Sequence, residues 1–168
     1  MKKLLFLLLL FPILGNAQTK EETYEVFENL IGGLWHLNTK FENGQPFVQD
    51  FEMEWGLNKA IIKVKTYGVI DQETREFGLR NEGIRAWDAK LGKMVFHEFD
   101  IYGGITSGIV VIEGDVINYE YHYDVAGKDN VYRDTLIPID KNSYRYEMSM
   151  RTNDGWKILL SAVMKRMK

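Results

Sequence analysis

The chain has 168 residues, 21 basic and 24 acidic side chains, a formal charge of -3 and no cysteine. Near-neutrality with scattered basic residues excludes an electrostatic nucleic-acid footprint, and the missing cysteines exclude disulfides and a lipoprotein anchor. An aromatic share of 13% with only three prolines points to a β-rich folded domain and away from disorder.

Residues 1–17 read separately from the rest. Lys2 and Lys3 form a positive start, residues 4–14 form an apolar run, and Gly15-Asn16-Ala17 ends it with small residues. That is the pattern of a secretory signal peptide cut after Ala17, with a run too short for a comfortable membrane span. The expectation is an exported protein, periplasmic or secreted, whose domain covers residues 18–168 and has no transmembrane segment. Without disulfides that domain must be held by burial alone, which a single domain of about 150 residues can achieve.

Thr19-Lys20-Glu21-Glu22 has the form of a capping box, and Tyr24, Phe27, Leu30 and Ile31 follow at helical spacing before Gly32-Gly33. This predicts a short amphipathic helix, either a plug for something hollow or an element docked on a sheet. From residue 34 onward the chain reads as strand and turn. Expected strands cover residues 34–41, 47–55, 59–70, 77–87, 94–102, 105–113, 116–125, 131–139, 143–150 and 156–167. Between them lie turn signals such as Asn43-Gly44, Gly114-Asp115 and Asn153-Asp154-Gly155. About ten strands with short links predict an all-β, antiparallel up-and-down barrel, since closure removes the edges that an open sheet would expose.

Gly33-Leu34-Trp35, opening the first strand after a short helix, resembles the Gly-x-Trp signature of lipocalins and related calycin barrels. In that family a basic residue of the last strand packs on the Trp, and Lys165 or Arg166 stands where this one would. Glu82-Gly83-Ile84, Trp87-Asp88, Lys93-Met94-Val95, Phe99-Asp100 and Gly103-Gly104 resemble an exported bacterial lipocalin-like family of unknown function. The resemblance implies a barrel with an apolar interior that binds a small hydrophobic or amphipathic ligand. It supplies no established activity.

The candidate residues come from strand parity. In residues 116–125, Ile117, Tyr119, Tyr121, Tyr123 and Val125 share one face, and Asn118, Glu120, His122 and Asp124 share the other. The aromatic face is the one expected inside, where tyrosine rings line a cavity and their hydroxyls orient a ligand, or simply fill a core. The opposite row then faces water, although Glu120, His122 and Asp124 are metal-capable and acid–base-capable groups. His97 lies with Val95, Phe99 and Ile101, which places His97 and Phe99 on the expected inner face with Trp87 of the preceding strand. Arg133 shares parity with Val131, Thr135, Ile137 and Ile139; inside a barrel it would hold a ligand carboxylate, and outside it would pair with an acid such as Asp129. Tyr144, Tyr146 and Met148 line one face of a later strand.

No Gly-x-Ser-x-Gly elbow, P-loop or dinucleotide fingerprint is present. Some ten-stranded lipocalin-like barrels, the nitrobindins, carry haem on a C-terminal His, but no His follows His122. No cofactor or metal is therefore expected. Two alternatives to ligand carriage stay open. One is a barrel enzyme that acts on a small substrate through His97 or His122. The other is an interaction module whose barrel is filled by its own side chains.

Overall fold

In the computed structural model, which describes residues 19–125 and 127–167, one short helix precedes ten antiparallel strands that close on themselves. The expected signal peptide lies outside the described residues. The helix α1 spans Lys20–Glu25, and the strands are β1 (Leu34–Lys40), β2 (Pro46–Gly56), β3 (Ile61–Val69), β4 (Phe77–Asp88), β5 (Lys93–Asp100), β6 (Ile105–Glu113), β7 (Val116–Val125), β8 (Lys128–Asp140), β9 (Ser143–Thr152) and β10 (Gly155–Arg166). Each strand pairs with the next, and β10 returns to pair with β1. The expected all-β barrel is thus the observed one.

The capping box forms as its residues predict: Thr19 Oγ1 accepts from the Glu22 backbone N–H at 3.2 Å, and Glu22 Oε2 accepts from the Thr19 N–H at 2.9 Å. The helix itself stops at Glu25, and Phe27 and Leu30 reach the core from the turns that follow. Tyr24 fastens it to the barrel. Its hydroxyl donates to the Ala60 carbonyl at 2.6 Å and accepts from the Trp87 backbone N–H at 3.1 Å, so α1 caps the end holding the β2–β3 and β4–β5 turns.

Beneath α1 the barrel is solid. Phe27, Leu30, Trp35, Ile62, Ile117 and Met164 are fully buried there. Trp35 donates from Nε1 to the Leu30 carbonyl at 3.1 Å, and the Arg166 guanidinium lies over the Trp35 ring at 4.6 Å. Gly33 makes that stack possible. A Cβ at Gly33 would stand 2.5 Å from Arg166 Nη1, so only glycine leaves room for the guanidinium.

On β5 and β8 the residues alternate regularly and burial identifies the inner face, whereas on β10 the alternation breaks. On β5, Met94 and Phe96 are buried, whereas Phe99 and Ile101 are 54% and 51% exposed, so the inner face is the one opposite to that expected. On β8, Leu136 is buried and Tyr132, Asp134 and Leu136 face inward, which turns Arg133 outward. On β10, a register shift between Ile158 and Leu160 turns Ile158 outward while Leu160 and Met164 stay buried. The β10 break is a bulge, which moves every residue beyond it to the other face.

Candidate functional site

The end of the barrel away from α1 is hollow. A cavity of about 380 Å³ is lined by residues of β2 to β9. That volume falls in the lower part of the range of about 300–1,000 Å³ usual for small-molecule sites. Phe47, Phe51, Met53, Val64, Leu136 and Met148 supply apolar wall, and Phe96, Tyr119, Tyr121, Tyr132 and Tyr146 supply aromatic wall. Tyr123 and Val125, at the end of β7, are 51% and 48% exposed and belong to the rim.

Cross-strand register assembles this wall. On an antiparallel pair, residues directly opposite share a face. Tyr121 stands opposite Tyr132 and Tyr119 opposite Asp134 across β7 and β8. Arg85 stands opposite Phe96 across β4 and β5. Gly108 faces both Phe96 and Tyr121 across the neighbouring pairs, and a Cβ there would meet Phe96 Cε1 at 2.7 Å. Its missing side chain is what lets the two rings meet edge to face, with centroids 6.0 Å apart.

Gln49, Thr66, Arg80, Asn81, Asp100 and Thr106 add polar lining, and two polar groups are set into the aromatic wall. The first is the Arg85–Glu98 ion pair, with Arg85 buried and its guanidinium 5.1 Å from the Phe96 ring centre and 4.9 Å from that of Tyr119. Burial works against the Arg85 charge, but Glu98 and Tyr119 outweigh it, and the guanidinium holds its proton more firmly than usual. The second group is Asp134, whose Oδ2 accepts from the Tyr121 hydroxyl at 3.4 Å, with the Tyr146 phenol interacting with the same carboxylate. Burial, then repulsion from Glu98, pushes the Asp134 carboxyl up to about 7, against favourable contributions from Tyr146, Tyr121 and Arg85. Burial likewise raises the phenols of Tyr119, Tyr121 and Tyr146, so all three stay protonated as donors. Tyr119 Oη and Asp134 Oδ1 are sealed from solvent and have no hydrogen-bond partner among the described residues.

The residues expected from sequence distribute as follows. Tyr119, Tyr121, Tyr123, Tyr146 and Met148 line the cavity. Trp87 and Tyr144 lie nearer α1, Trp87 packed against the core and Tyr144 edge-on to Trp35 at 5.3 Å. The Tyr144 hydroxyl accepts from Asn29 Nδ2 at 3.1 Å, which makes it part of the sealed end. The inward placement of His97 and Phe99 is corrected, and of the two placements open to Arg133 the outer one is observed, with Glu120 and not Asp129 as its partner: all three belong to the outer wall. His97 is exposed, with Nδ1 2.8 Å from Ser107 Oγ. Arg133 pairs with Glu120 directly opposite it and lies over Trp156 at 4.2 Å. His122 is outside as well, 2.8 Å from Asp129 and 69% exposed. Neither His97 nor His122 lines the cavity.

Sequence reasoning missed Arg85, Phe96, Glu98 and Asp134. The signal that finds them is hairpin arithmetic. Val125 pairs with Lys128, so each odd residue of β7 faces an even residue of β8. Asp88 pairs with Lys93, so odd residues of β4 face even residues of β5. Once Tyr119 and Tyr121 are set inside, Asp134 and Tyr132 must follow.

No protein-family model and no curated protein matches the chain. Among the described residues, no helix is long and apolar enough to cross a membrane.

Proposed function

We propose that this is an exported, lipocalin-like binding protein that holds a small apolar or amphipathic ligand inside its barrel. The cavity itself carries the reading. A barrel of ten strands filled throughout by its own side chains would leave no such space, yet here only the α1 end is solid. Apolar and aromatic side chains make up more than half of its lining and polar and charged ones the rest, which suits an amphipathic molecule. The Gly33-Leu34-Trp35 opening, with Arg166 stacked on Trp35, supports the lipocalin-like assignment. The start of the chain supports export.

Native mass spectrometry of the mature protein, purified gently from its own host, tests this reading. A reproducible extra mass that is lost on denaturation is expected. A bare mass that stays bare after incubation with a lipid panel overturns carriage. The same spectrum tests export, since the processed chain is expected to begin near Gln18; a chain beginning at Met1 rules it out.

A further inference from the structure

Within the carrier reading, the polar groups of the cavity specify the ligand's head group. We propose that Asp134 is the seat for a cation, and that the ligand is an amphipathic alkyl ammonium whose chain lies along the apolar wall. Three observations carry this.

The first is charge balance. Arg85 and Glu98 are committed to each other, and no Lys, Arg or His among the described residues stands within ion-pair distance of Asp134. Asp134 thus has no cationic partner of its own, and Oδ1 has no donor. The groups facing it are the phenols of Tyr119 and Tyr121 on β7, Tyr146 on β9 and Tyr132 on its own strand, with Glu98 of β5 and Arg85 of β4 across the barrel; Arg80 of β4 and Asp100 of β5 also line the cavity. Arg85 is already paired with Glu98, and Arg80, the other arginine of the cavity lining, makes no ion pair with Asp134, so the Asp134 carboxylate has no positive donor of its own.

The second is the wall. Tyr121 and Tyr132 stack at 5.9 Å, and Phe96 stands edge-on to Tyr119 at 5.5 Å. Aromatic faces beside a carboxylate attract cations. Arg85 illustrates the point, since its guanidinium rests on Phe96 and Tyr119 within the same cavity. The third is the depth of the apolar surface. Phe51, Met53, Val64 and Leu136 line the cavity without a polar group and suit an alkyl chain.

An ammonium bound here also displaces the proton that burial favours on Asp134, whose carboxyl is pushed up to about 7. Binding near neutrality therefore releases protons, and affinity rises with pH through neutrality, levels off once the carboxylate is ionised and falls when the ammonium deprotonates near pH 10.

The test is calorimetric titration of the full mature chain with decylamine, decanol and decanoate below their micellar concentrations. Titrations at pH 7 use two buffers of different ionisation enthalpy. Decylamine is expected to bind at least tenfold more tightly than decanol, with proton release at pH 7 that vanishes by pH 9. Asp134→Asn is expected to abolish that preference and the proton release. Should Asp134→Asn fail to fold, the wild-type ranking and its proton inventory still decide. Equal binding of the three chains, or a preference for decanoate, overturns the cation seat and leaves the barrel a carrier. Binding of none of them overturns the cation seat for an alkyl ammonium, while the native mass spectrum separately decides the carrier reading.

Discussion

Arg85 and Glu98 form a buried ion pair whose two halves depend on each other. Removing one half leaves the other charge without compensation, which typically costs about 3–5 kcal/mol. Arg85→Ala is expected to fall in that range in urea denaturation. Arg85→Met combined with Glu98→Gln should be markedly less damaging than the sum of the single changes, and additivity would show that the pair is not coupled. Asp134 makes the opposite kind of contribution. Its carboxyl titrates near 7 in the folded chain and near the ordinary carboxylate value when unfolded, so the folded state binds the extra proton between about pH 4 and 7. Its stabilising effect is complete below about pH 4 and is lost as pH rises through 7. That effect is at most about 4 kcal/mol, because each pH unit between the two titration points contributes about 1.4 kcal/mol. Asp71 and Asp140, held low by backbone N–H groups of their turns, run in the other sense. The stability difference between wild type and Asp134→Asn isolates the Asp134 part. That difference should decline from pH 4 to 7 and be flat above about pH 8; a difference independent of pH would rule out the raised carboxyl.

At the scale of elements, the turns and the strand count were readable because their chemistry is local. Asn43-Gly44, Gly114-Asp115 and Asn153-Asp154 all fall between the strands they were expected to separate, and Gly155 opens β10. The faces of β2, β3 and β7 were readable because apolar and charged residues alternate cleanly along them. β5 was read with the wrong face inside, and β8 stayed open, for a physical reason. Val95, Phe99, Ile101, Ile137 and Ile139 put apolar bulk on the outer wall, while Glu98 and Asp134 put charge on the inner one. Parity weighted by hydrophobicity selects the wrong face wherever a barrel carries polar groups inside. Only pairing register, which is non-local, corrects it. The bulge of β10 was invisible for the same reason, since nothing in Ile158-Leu159-Leu160 marks a break. The α1 latch is a separate element-scale device. Tyr24→Phe removes a hydroxyl that serves two backbone groups, and should cost about 1–3 kcal/mol in urea denaturation if both are left unsatisfied. An unchanged midpoint would show that α1 is held by ring packing on Trp55 alone.

Across the whole molecule the barrel divides into a solid end that holds the fold and a hollow end that is free to do something else. Ile117 is fully buried under α1, whereas Tyr132, opposite Tyr121 on the neighbouring strand, is only partly buried at the cavity wall. Truncation at the solid end opens a void in close-packed surroundings, and large-to-small changes there typically cost about 2–5 kcal/mol. Truncation at the hollow end enlarges a space that already exists, so the same loss of atoms forfeits fewer contacts. Ile117→Ala is therefore expected to lower the urea midpoint strongly while the folded fraction keeps its ligand. Tyr132→Ala is expected to lower it by less than half as much and to change ligand retention in native mass spectra. Ligand linkage adds an independent reading, because a ligand at a hundred times its Kd stabilises the folded state by about 2.7 kcal/mol. For a domain of this size each kcal/mol moves Tm by about 2–4 °C. Saturating ligand should thus raise the Tm of the wild type and of Ile117→Ala by similar amounts, and that of Tyr132→Ala by clearly less. If both truncations cost the same stability and neither alters the ligand-induced change in Tm, the two ends are energetically equivalent, and the cavity is a packing gap instead of a binding site.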